Sequence, residues 1–198
     1  MPASKTKNLY LYFLLLLSFS LFTINIYQSQ YFHWTAILDQ DIMIVYNSLL
    51  ISSGIEQEYR DHPGYITFVI YGLLIKIFSL INSDIVSNVN NLINSTNPNK
   101  DLQSLFYFCR NINVIINVSL IFFLNKSLIK IKISQISAIL SCCILIVSGW
   151  YTESLFYLRS ENLSIIFFLI SFIFQVKFFE KHKFIFIIFS GFFLALQC

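Results

Sequence analysis

Residues 64–82, GYITFVIYGLLIKIFSLIN, decide how this chain is arranged. The segment carries a single charge, Lys76, and is close to the roughly 20 helical residues needed to cross a bilayer core. Further apolar segments run over 9–27, 105–124, 134–149, 163–179 and 184–198. If all of them cross, Lys126, Lys130 and Lys132 face outward and the acidic 153–161 stretch faces inward, which inverts the usual charge bias. If 64–82 instead stays on the outer side as a juxtamembrane or re-entrant helix, the bias is restored. Lys5, Lys7, Lys126, Lys130, Lys132, Lys177, Lys181 and Lys183 then become cytoplasmic, eight of the 13 Lys/Arg. Lys and Arg set orientation far more than acids do, so the second arrangement is the expected one.

Composition bounds the class. The chain is 198 residues long, 57% hydrophobic and only 12% charged. That is too little charge to cover a soluble surface of this size. The reading is an all-α, polytopic transmembrane bundle forming a single membrane domain. Lys5 and Lys7 before segment 9–27 place the N-terminus in the cytoplasm, and that segment is too long and lacks the small-residue site of a cleaved signal. Cys109, Cys142, Cys143 and Cys198 form no CxxC or Cys/His ligand spacing, so neither a disulfide framework nor a metal site is expected of them. Segment 184–198 stops without a cap or polar flank, the pattern of the N-terminal part of a larger protein. No internal repeat is apparent.

The outer loop, 28–104, holds the residues with chemical promise. Ile42, Val45, Tyr46, Leu49 and Leu50 recur at helical spacing, which predicts an interfacial helix over 42–53 with Gly54 as its C-cap. Asp41 immediately precedes it. Its carboxylate suits an N-cap, and equally a general base or acceptor-orienting group at the lipid–water boundary. An extended lead-in would point Asp39 the same way, and the pair could hold a divalent cation such as magnesium or manganese, although two carboxylates alone are a weak metal signal. His62-Pro63-Gly64-Tyr65 reads as a helix start, with Pro63 presetting the first turn and His62 fixed at its rim. The 82–103 stretch, rich in Asn and Ser, reads as a loosely structured loop. Beyond it, Arg110 lies at the outer end of segment 105–124, where a charge so close to hydrocarbon is a functional candidate. Arg159 and Glu161 open segment 163–179. Arg159 would snorkel or clamp a phosphate, and Glu161 would complement the helix dipole or orient an acceptor.

Taken together, these residues resemble the GT-C superfamily of glycosyltransferases that use polyprenyl-phosphate sugars, in particular the protein O-mannosyltransferase and aminoarabinose transferase type. The family pattern has a cytoplasmic N-terminus, one span, and an outer loop with an Asp at the head of an interfacial helix and a Gly about thirteen residues later. Asp41 and Gly54 match it. Many members end the loop in His-Pro-Pro; here Gly64 replaces the second Pro, which is similar to the Tyr-Pro-Gly of oligosaccharyltransferase catalytic subunits. Arg110-Asn111 and Arg159-Ser160-Glu161-Asn162 look like the Arg-Asn and second-loop acidic motifs of those subunits. The resemblance implies that Asp41 and Glu161 are catalytic, and that Asp39, His62, Tyr65, Arg110 and Arg159 bind substrate. It further implies an inverting transfer of a sugar from a polyprenyl-phosphate donor to a lipid, glycan or protein acceptor. The enzyme would sit in the plasma (inner) membrane of a bacterium with its site on the periplasmic face and no nucleic-acid partner. Most such transferases need no metal, while the oligosaccharyltransferase branch does. The competing class is a non-catalytic membrane protein such as a lipid-linked-sugar flippase. Transporters, however, place their charges near the midplane of broken helices rather than at one face.

Overall fold

The computed structural model describes residues 3–31, 39–58 and 64–196. Within them the protein is all-helical: α1 (Ala3–Tyr31), α2 (Asp39–Ser52), α3 (Tyr65–Ser79), α4 (Val89–Ile93), α5 (Pro98–Lys130), α6 (Gln135–Ile146), α7 (Gly149–Phe156), α8 (Glu161–Lys181) and α9 (Ile185–Ala195). Among the described residues two helices, α5 and α8, are long and apolar enough to cross a membrane, and the bent pair α6 and α7 passes the same test if it is one broken span rather than a re-entrant loop.

The sequence-based boundaries shift at several points. The 82–103 stretch is not a loose loop: Asn88 caps the short α4, and α5 begins inside it at Pro98. The reason is local. Pro98 takes the first helical position, where its missing N–H costs nothing, and the Asn97 side chain accepts from the Lys100 N–H at 3.3 Å. α5 also continues past 124 to Lys130, where Lys132 enters the left-handed region at φ 68° and stops it. The segment at 134–149 is not one straight span. α6 has 12 residues, roughly 18 Å of helix, and turns by 65° into α7. Ser148 Oγ accepts from the Tyr151 N–H and caps the new direction.

The chain divides into two compact units. The first comprises Ile24–Asn113 and Phe156–Ser160. Its core is Ile44, Val45 and Leu49 of α2, Phe68, Tyr71 and Ile75 of α3, and Leu105, Phe106 and Cys109 of α5. α2 and α3 pack closely because Gly72 has no side chain: a Cβ there would lie 2.7 Å from the Ser48 carbonyl oxygen. Gly54, at φ 73°, ends α2 in the left-handed conformation that glycine adopts at no steric cost, as expected. α3 is 15 residues long, about 22 Å, well short of a bilayer core of about 30 Å. Its length fits a helix that does not cross.

The second unit comprises Met1–Thr23, Val114–Leu155 and Glu161–Cys198. α8 and α9 form a hairpin that turns at His182, φ 52°. Buried Ser171 and Ser190 hydroxyls meet at 2.9 Å, and the Phe174 ring stacks with Phe186, Phe189 and Phe193. A buried polar knot joins α5, α7 and α8. Asn117 donates to the Ser154 carbonyl and accepts from the Ser154 hydroxyl, both at 3.2 Å, and Asn162 donates to the same Asn117 Oδ1 at 3.4 Å.

Candidate functional site

α2 buries a mixed face. Val45, Leu49 and Leu50 of the predicted apolar stripe are buried with Ile44, whereas Ile42 and Tyr46 are exposed, and Asp41, Asn47, Ser48 and Ser52 are buried beside the apolar side chains. Partners meet the buried polar groups: Asn47 Oδ1 accepts from the Glu58 N–H at 3.1 Å, and the Ser52 hydroxyl donates to the Ser87 carbonyl at 2.6 Å.

Asp41 is fully enclosed, with 0% of its surface exposed. It is not an N-cap outside the helix, as the sequence implied: α2 begins at Asp39, so Asp41 lies in its first turn. Its Oδ1 accepts from the backbone N–H of Leu158, 117 residues away, at 2.6 Å. The other oxygen, Oδ2, is buried and has no hydrogen-bond partner among the described residues. Burial pushes the carboxyl up to about 6, against the opposing pull of the Leu158 hydrogen bond and of the Arg110 and Arg159 cations. A buried ionisable group with a half-satisfied carboxylate is an unusual structural element, because an unpaired oxygen in a dry site costs rather than contributes stability.

Arg110 is the group on α5 that answers this charge. It is almost fully buried, at 8% exposure, and its Nε has no hydrogen-bond partner among the described residues. One turn further along α5, Asn113 donates to the Tyr157 carbonyl at 3.2 Å, pinning the start of the 157–160 segment. Leu158 is itself buried and so holds its N–H in place over Asp41. Asp41, Arg110, Asn113 and the 157–160 segment therefore form one cluster within the first unit.

Of the other sequence candidates, Arg159 joins the cluster through its charge on Asp41. Tyr65 is half-exposed at the head of α3 and lines a cleft of about 460 Å³ with Ile51, Ile55, Glu56 and Gln57. Glu161 opens α8 in the second unit, exposed, where its charge complements the helix N-terminus. His62 lies outside the described residues. Asp39 belongs to α2 rather than to an extended lead-in.

Two participants were missed in the sequence, Asn113 and the Leu158 backbone. Asn113 was within reach, because Arg110, Asn113 and Asn117 stand at i, i+3 and i+7 in an otherwise apolar helix, a polar stripe at helical spacing. Leu158 was not, since a backbone donor carries no side-chain signature. No family model, curated protein or solved structure matches this chain.

Proposed function

We propose that this protein is a membrane glycosyltransferase of the GT-C type, moving a sugar from a polyprenyl-phosphate donor to a lipid, glycan or protein acceptor on the outer face of the membrane. The observation that carries the reading is the Asp41 carboxylate. One oxygen is anchored to the Leu158 N–H, the other is without a partner, and two arginines act on it. With a value of about 6 the carboxyl is mostly ionised at neutral pH, and Oδ2 is the atom left to take a proton. In the proposed step the acceptor hydroxyl gives its proton to Oδ2 and its oxygen attacks the anomeric carbon from the face opposite the phosphate. The bond to the phosphate oxygen breaks, its electron pair stays on the phosphate, and the sugar carbon inverts. Arg110 and Arg159 are the cations placed to meet that growing negative charge.

Full burial of Asp41 favours a second reading, in which the carboxylate only ties α2 to the 157–160 segment. A non-catalytic flippase would use it in that way. Sugar transfer from a polyprenyl-phosphate donor, measured in membranes carrying wild type or Asp41→Asn, separates the readings. Loss of a general base lowers transfer by roughly 100- to 10,000-fold. Undiminished transfer at normal protein levels would sink the catalytic role, whereas a tie alone predicts unchanged turnover per molecule.

A further inference from the structure

A second cavity lies in the second unit, where Glu180 is the acid among its lining residues. It measures about 610 Å³, and among the side chains lining it are Asn125, Lys126, Lys130 and Lys132, with Phe122 and Ile129 supplying apolar wall. Lys130 pairs with Glu180 of α8. Lys126 and Lys132 are left with a net positive field; the Lys126 ammonium sits 5.5 Å from the Phe122 ring centroid, a contact that leaves its N–H donors available. Lysines at a helix C-terminus can simply complement the dipole. That bland account explains the charges and nothing else about this place.

Asn125 is what it leaves over. The side chain is buried at 1% exposure and lines the cavity, yet its Nδ2 meets no oxygen or nitrogen acceptor among the described residues. Gln135 Nε2 donates to its Oδ1 at 3.5 Å, which orients the amide with Nδ2 as the donor. The Asn125 side chain is within hydrogen-bond reach of the Cys142 sulfur, but sulfur is a weak acceptor and the amide carries a second N–H. Unspent donors and ammonium groups beside exposed apolar surface at the end of a span-length helix have a common complement, a phosphate attached to hydrocarbon chains.

We infer that this cavity binds the headgroup of an anionic phospholipid, with Asn125 Nδ2, Lys126 and Lys132 on the phosphate and Phe122 and Ile129 along the upper acyl chain. The inference rests on the membrane-protein reading and on no feature of the Asp41 site. Its readout is lipid binding alone, so it stands or falls separately from sugar transfer.

The test is native mass spectrometry of the full chain in detergent, titrated with phosphatidylglycerol, phosphatidylcholine or inorganic phosphate. Phosphatidylglycerol should bind at least about tenfold more tightly than phosphatidylcholine, a preference that added salt erodes. Lys126→Gln/Lys132→Gln should bring the two lipids level, and Asn125→Leu should weaken phosphatidylglycerol severalfold. Lys100→Gln, an exposed lysine in the other unit, should change nothing. Equal binding of the two lipids by wild type, a preference indifferent to salt, or undiminished binding by the double variant overturns the proposal. Inorganic phosphate binding as tightly as phosphatidylglycerol overturns it too, since the site would then hold a free anion. Should the double variant fail to fold, the salt dependence and Asn125→Leu decide.

Discussion

At the residue scale, Asp41 ties stability to activity with opposite signs. Its folded value of about 6 lies above the ordinary 3.8, so folding favours the protonated form. The favourable contribution is complete below pH 3.8 and is lost as pH rises through about 6. The gap corresponds to at most about 3 kcal/mol. Asp41→Asn should therefore melt higher than wild type above pH 6 and alike near pH 3.8, while losing transfer; thermal melts across that range check the first part. Equal melting of both forms at all pH values would show that the carboxyl is not perturbed. Transfer by wild type should rise with pH to a midpoint near 6, as the base ionises. Arg110→Gln removes a cation that holds the carboxyl down, so its pH–rate profile should move to higher pH, and an unmoved profile would disconnect Arg110 from Asp41.

At the scale of elements, the helix ends carry the clearest stability predictions. Gly72→Ala places a methyl against the Ser48 backbone, which cannot yield as a side-chain tip could, and should cost about 1–3 kcal/mol. Gly54→Ala forces a left-handed alanine into open space and should cost about 1 kcal/mol. Lys132→Gly relieves the same strain and should stabilise by a similar amount, to be read in denaturant or thermal melts. These sites also show what was legible. Gly54 as a stop, the helix at α2 and the length of α8 follow from local patterns, because caps and periodicity act within a few residues. The burial of Asn47 and Ser52 was not legible, because an apolar stripe carries no sign of the distant backbone partners, such as the Ser87 carbonyl, that meet a polar side chain. The break between α6 and α7 was missed for a related reason: Ser148-Gly149 reads as apolar continuation unless one knows that Ser148 caps Tyr151.

For the whole molecule the open choice is the one posed by residues 64–82, and it has a direct test. A helix of 15 residues reaches about 22 Å, so α3 crosses a core of about 30 Å only if the bilayer thins by several ångströms. α2 packs against it through Gly72, which would carry the buried polar side chains of α2, Asp41, Asn47 and Ser48 among them, into the membrane along with it. Keeping the α2–α3 pair at the surface avoids both costs, and it places Lys126, Lys130 and Lys132 on the cytoplasmic side where such charges concentrate. Single cysteines at Ile70 and Leu128, introduced into a chain whose native cysteines are replaced, discriminate the arrangements. An impermeant maleimide added to intact cells should label position 70, and position 128 only after the membrane is opened. The six-span arrangement predicts an outer-side position for 128, so labelling there in intact cells would overturn the proposed arrangement. Asp41 would then stay on the outer side while the 157–160 segment moved to the inner one, which parts the Asp41 carboxylate from the Leu158 N–H that it accepts from.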